Sequence, residues 1–457
     1  MDRTPLLLAP LLVAALAAPA GEPIVAASGT LFSPSQAASL GTLRPGASGT
    51  VTFDTGSAER APSVSGAVSG AGVAGRSASG KVEVAVFVFD AVDLPSGAKV
   101  AVTGDRGLVL VAKGSIAIDT LIDLSGAAGT NISDRARADA FVSPPFWPKQ
   151  KPDKLGGAGG PGSEAGERGK ATASAPPASY RGFGGTGRNG ENNPGLGMGG
   201  GNNLRCRGGS GGGGGAYGGA GGDSTEGSPT IFSKDGPNIQ EGGKVYGDAA
   251  LTDLFGGSSG AGGQNDRNGN FASGGGAGGA IGIISTTSIT IGAKGRIAVV
   301  GGAGGVEMAR GGGGSGGGIL LAAPTVTMTA GAELDARGGS GAVEDPKFPF
   351  SKYEDAFRLE STRVPGTINP RRDWILAGGG GGGRIAILSN ADLGVKGKGA
   401  TEAAAAGVRL DGGPVPPIVQ PDFVYTHPKT GKRTVRDGWA RPGAVGTFYD
   451  GAWPGLK

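Results

Sequence analysis

Glycine runs that end directly on short β-branched triplets constrain this chain more than any other feature. Glycine supplies 98 of its 457 residues, about three times ordinary usage. A chain so poor in side-chain volume cannot fill one large core. No strict Gly-X-Y period exists and proline is modest, so a collagen triple helix is excluded. Hydrophobic residues still make up 37%, concentrated in short runs. That combination calls for narrow cores between strands, joined by glycine-rich excursions.

The short runs repeat. Phe87-Val-Phe89, Val92-Asp-Leu94 and Val100-Ala-Val102 each carry the period-2 mark of a strand. Leu108-Val-Leu110, Ile116-Ala-Ile118 and Ile122-Asp-Leu124 return in the same order about 22 residues later. Three further sets follow: Ile281-Gly-Ile283 with Ile289-Thr-Ile291 and Ile297-Ala-Val299; Ile319-Leu-Leu321 with Val326-Thr-Met328 and Leu334-Asp-Ala336; Ile385-Ala-Ile387 with Leu393-Gly-Val395 and Val408-Arg-Leu410. A less regular early set includes Leu40, Leu43 and Val51-Thr-Phe53. The expected fold is all-β: a parallel β-helix or solenoid of about 22-residue coils, the intervening residues facing solvent, with Gly-rich insertions at one corner.

The expected organisation follows from the same repeats. Residues 1–20 read as a signal peptide, from Arg3, the apolar run Leu6 to Ala18 and the small-x-small site Ala18-Pro19-Ala20, with cleavage after Ala20. Residues 21–126 hold the first coils and 127–276 a Gly-rich insertion; 277–413 hold the later coils, interrupted at 303–315 and 340–380; 414–457 form an aromatic cap. The glycine runs at 208–222, 256–279, 311–318 and 378–383 read either as flexible linkers or as extended threefold helices packed side by side, the latter favoured because most of them abut a strand. No run approaches the about 20 apolar residues of a membrane span. The chain is expected to be secreted, in the extracellular space or the cell envelope.

Catalytic signals are sparse. Net charge is +4 and the basic residues are scattered, which gives no nucleic-acid footprint. The sole histidine, His427, sits beside a proline far from any nucleophile motif, and Cys206 has no disulfide partner. Asp123, Asp335 and Asp411 fall in or beside the third triplets, either as solvent-facing residues or as a stacked ladder that could take calcium. Trp147, Tyr353, Trp374 and Trp453 are candidate sugar platforms. Thr287, Thr290, Thr325, Thr327 and Thr329 lie near second triplets, as ordinary outward strand residues or as an ice- or mineral-facing row.

The order Val86-Phe-Val-Phe-Asp90, Val100-Ala-Val-Thr-Gly104, Leu108-Val-Leu-Val-Ala112 and Ile122-Asp-Leu-Ser-Gly126, and the stretch Gly311 to Val326, resemble the glycine-rich exported repeat proteins of myxobacteria and planctomycetes, often called PGRS-like. The resemblance covers most of residues 80 to 413. It implies export and a β-solenoid, and carries over no site residue. The expected function is a non-catalytic structural or adhesive surface protein whose partners are cell-surface polysaccharide or other envelope and matrix components. A carbohydrate-binding or carbohydrate-active solenoid is the alternative, and an ice or mineral binder the second alternative.

Overall fold

The computed structural model describes residues 38–76, 81–129, 157–163, 197–201, 212–224, 241–263, 273–305, 311–341, 377–390, 407–415, 423–426, 433–436 and 440–453. In chain order the strands are β1 (Thr42–Leu43), β2 (Thr50–Asp54), β3 (Ser63–Gly66), β4 (Gly70–Ala71), β5 (Val73–Arg76), β6 (Glu83–Phe89), β7 (Ala91–Leu94), β8 (Lys99–Thr103), β9 (Gly107–Ala112), β10 (Ile116–Ile118) and β11 (Leu121–Asp123). They continue as β12 (Ala280–Ser285), β13 (Ser288–Ile291), β14 (Arg296–Ala298), β15 (Gly318–Ala322), β16 (Thr325–Met328), β17 (Glu333–Asp335), β18 (Arg384–Leu388), β19 (Val408–Arg409), β20 (Phe423–Thr426), β21 (Arg433–Arg436) and β22 (Thr447–Gly451).

The expectation of one solenoid with glycine insertions projecting from a corner is corrected by this arrangement. The strands form five separate open sheets, parallel and mixed, ordered β1-β7-β10-β13-β16, β11-β14-β17-β19, β22-β18-β15-β12-β9-β6-β5, β4-β3-β2-β8 and β20-β21. Antiparallel pairing joins β2 to β3, β3 to β4, β5 to β6 and β20 to β21. Of the early set, Leu43 and Val51-Thr-Phe53 pair in parallel with Val92 and Val100-Ala-Val102, whereas the following stretch from Ser63 to Arg76 runs back and forth. Its Ser- and Gly-rich turns allow reversal, and Gly66 takes a positive φ of 110° to do so.

The apolar triplets do meet in parallel register. Phe87 lies beside Leu110, then Ile283, Leu321 and Ile387. Val92 leads to Ile116, Ile289 and Val326, and Ile122 to Ile297, Leu334 and Val408. These three rows converge on one buried apolar core. Phe53 packs edge-on against Phe87, with ring centroids 5.2 Å apart, the geometry that sets aromatic edges against faces.

A second core was not expected. Val109, Leu320 and Ala386 stand between triplet members, where the period-2 reading faces them to solvent. They are buried on the opposite face of the seven-stranded sheet, under Tyr217, Leu251, Leu254 and Phe255. Gly282 completes that row because Leu254 Cδ2 already lies 3.3 Å from where its Cβ would stand.

Candidate functional site

The glycine-rich segments form a backbone lattice continuous with the sheets. An outgoing leg follows each strand of the β11-β14-β17-β19 sheet, at 124–129, 299–305, 336–341 and 410–414. A return leg leads into each of β12, β15, β18 and β22, at 273–279, 311–317, 377–383 and 440–446. Outgoing and return legs alternate in one hydrogen-bonded series. The Gly276 amide donates to Ala127 O, Gly302 to Gly276 O, Gly314 to Gly302 O, Gly339 to Gly314 O, Gly380 to Gly339 O, Gly413 to Gly380 O and Gly443 to Gly413 O, at 2.6–3.0 Å.

Each leg repeats its partners every third residue. Gly275 and Gly278 donate to Gly312 and Ser315, while Gly276 and Gly279 donate to Ala127 and Leu124. Gly313 and Gly316 likewise reach Gly378 and Gly381. That is the signature of an extended helix of about three residues per turn, which satisfies its backbone only through neighbours. The runs at 208–222, 256–279, 311–318 and 378–383 thus pack within their described residues. A Cβ at Gly314, Gly339 or Gly380 would stand closer than 3.0 Å to the carbonyl of Gly276, Gly302 or Gly314 respectively.

The long interruption after β11 builds further layers on the return legs. Gly157 and Gly160 donate to Gly274 and Ala277, Gly257 and Gly260 to Gly278 and Gly275, and Gly219 and Gly222 to Gly382 and Gly379. Segments 197–201 and 242–247 make a third layer, tied by Ala216 to Gly199 and Gly243 to Gly214. Ser258 and Ser315 replace glycine inside, and Ser315 Oγ accepts from the Ser258 amide and donates to Ser258 O. The last leg closes the lattice: Arg441, Gly443, Ala444 and Gly446 donate inward, whereas Pro442 has no N–H and Val445 is 52% exposed.

The acids do not stack as a ladder. Register places Ala298 between Asp123 and Asp335, puts Arg409 beside Asp335, and leaves Asp411 two residues farther on. Asp335 is fully buried between Arg296 and Arg337, at 2.5 and 2.7 Å. Burial pushes its carboxyl up, but hydrogen bonds from Arg337 and Arg296 outweigh this and hold it below the usual carboxylate range. Glu333 bridges Arg296 and Arg409 alongside. Guanidinium groups thus hold the carboxylate oxygens of Asp335 and Glu333, while Asp123 Oδ1 accepts from the Ser125 amide. A lowered native pKa contributes stability above the unfolded carboxylate value of about 3.9 and loses it as pH falls through the native value. Asp335→Asn is expected to cost about 2 kcal/mol near neutrality. In denaturant titrations its deficit relative to wild type should shrink below about pH 4.

Of the aromatic candidates, Trp453 packs half-buried against the second core, as do Tyr449 and Tyr246. Trp147, Tyr353 and Trp374 lie outside the described residues, as do His427, Cys206, Leu393 and Val395. Thr290 sits beside Thr327, but Ala117 and Asp93 continue that row. Tyr217 and Arg384 escaped notice because a lone tyrosine in a glycine run and a single arginine before a triplet carry no motif. Comparison with protein-family models, curated proteins and solved structures finds no match.

Proposed function

We propose that the chain is an exported structural or adhesive protein of the cell surface, of the glycine-rich PGRS-like kind, acting as a rigid non-catalytic scaffold. One observation supports this reading above others: the ends of the lattice legs lie side by side. Gly129 donates to Ala303 O, Gly305 to Ser273 O, Gly311 to Gly305 O, Gly304 to Ser340 O and Gly341 to Pro414 O. Chain connecting these ends therefore starts and finishes along one edge. In sequence those connections include Trp147, Tyr353 and Trp374. A scaffold held by backbone bonds can vary such connections without losing its body.

The partner would be envelope or matrix polysaccharide. Fractionation of producing cells should place the protein in the envelope or medium, and glycan arrays should score its binding. Cytoplasmic retention would overturn export. A second reading, a carbohydrate-binding module, draws support from Trp453 and Tyr449 at the last strand of the seven-stranded sheet. Under it, alanine at Trp147, Tyr353, Trp374 and Trp453 together lowers array signal at least about tenfold; equal binding by wild type and variant rejects it.

A further inference from the structure

Arg384 joins the sheets to the outer lattice layers from inside. It lies on β18 and is 3% exposed. Its Nη1 donates to Thr447 Oγ1 at 2.8 Å on β22. Its Nη2 donates to Tyr246 O at 2.7 Å and Gly247 O at 3.2 Å in the third layer. The guanidinium carbon stands 5.2 Å from the ring centroid of Tyr217 in the second layer. These three acceptors are all neutral, and Nε has no hydrogen-bond partner.

The layers Arg384 reaches are themselves linked. Tyr217 and Tyr246 rings lie 4.9 Å apart, and Tyr246 and Phe255 rings 5.9 Å apart. Tyr246 Oη donates to Gly256 O at 2.7 Å, and Ser258 Oγ bonds Tyr246 Oη at 2.9 Å. Between them the chain turns through Leu251, the only described non-glycine residue with a positive φ, at 54°. That conformation is held by burying Leu251 with Leu254 and Phe255 on the sheet's outer face.

We propose that residues 212–223 and 242–262 form one cover that opens from the seven-stranded sheet as a body, and that Arg384 is the pin that keeps it shut. Opening bares Val109, Leu320, Ala386 and Leu388 while leaving the inner core closed. Regions held by fewer apolar contacts open sub-globally before the whole molecule does. Opening also breaks the backbone bonds from Gly219 to Gly382, Gly222 to Gly379, Gly257 to Gly278 and Gly260 to Gly275; Arg384 adds a multidentate side-chain contact to the cover that the inner core does not share.

Amide hydrogen exchange tests this on the full chain. Arg384→Met keeps the side-chain bulk and removes the donors. Protection at Gly215, Gly219, Gly222, Gly257 and Gly260, whose amides donate to carbonyls outside the cover, should fall at least about tenfold, as expected when hydrogen bonds from a charged donor are lost. Protection in β12 and β15 should stay within about twofold, and hydrophobic-dye binding should rise. Arg384→Lys should give a smaller loss, because one ammonium cannot span Thr447 and Tyr246 together. Equal loss in β12 and β15, or unchanged protection in the cover, overturns the proposal. If the Met variant does not fold, the Lys variant decides by the same comparison.

Discussion

Gly314→Ala is expected to destabilise the protein by about 3 kcal/mol or more, through overpacking and displaced backbone hydrogen bonds. Gly314 donates to Gly302 O and accepts from Gly339 N, at 2.9 and 2.8 Å. A methyl group there meets the Gly276 carbonyl, which belongs to another leg and cannot yield without disturbing Ala127 and Gly302. Gly380→Ala should behave alike, since its added carbon meets the Gly314 carbonyl. Gly46→Ala is the control. Gly46 has no positive φ and nothing within 4 Å of the added carbon. Restricting the unfolded chain there should leave stability within about 1 kcal/mol of wild type, on the favourable side. Denaturant midpoints measured on the three variants separate the cases. Equal midpoints for Gly314→Ala and Gly46→Ala would show that the lattice does not hold the fold.

Leu320→Glu carries the second large effect. A strand reading in which triplets face inward and their neighbours face water tolerates a charge at position 320. In the structure Leu320 is 0% exposed and packed in the second core. An unpaired carboxylate there should cost about 4 kcal/mol or more, combining lost burial with an unsatisfied charge. Thr327→Glu, on an exposed position of β16, should stay within about 0.5 kcal/mol of wild type. Thermal unfolding of both variants is the measurement. A tolerated Leu320→Glu would mean that the outer face of the seven-stranded sheet meets water.

Much of the strand content was legible because period-2 alternation is a local property. Ile289-Thr-Ile291 or Leu334-Asp-Ala336 can be recognised without knowing what lies beside them. The aspartates show where that legibility ends. Asp123, Asp335 and Asp411 lie in or beside their triplets, yet Ala298 separates the first two in one row, Asp411 falls two residues off it, and Asp335 lies between two arginines. Register depends on how each connection enters the next strand, and the connections differ in length and composition. The cover over Val109 and Leu320 was equally hidden. Its apolar anchors, Leu251, Leu254 and Phe255, follow a polar loop and show no periodicity to tie them to a sheet far away in the chain.

Taken alone, the order of residues points to strands over the apolar triplets, to pairing between those triplets, and to glycine runs that can approach other backbone closely. Those conclusions rest on side-chain alternation and on the missing Cβ, both present before the chain folds. Folding decides the rest: five open sheets where one continuous winding was expected, a second buried face, layered legs in place of a projecting edge, and Asp335 held by guanidinium groups. Each of these depends on which distant backbone supplies the complementary N–H or C=O. A glycine leg carries no side-chain code for its partner, so only the assembled structure determines the match.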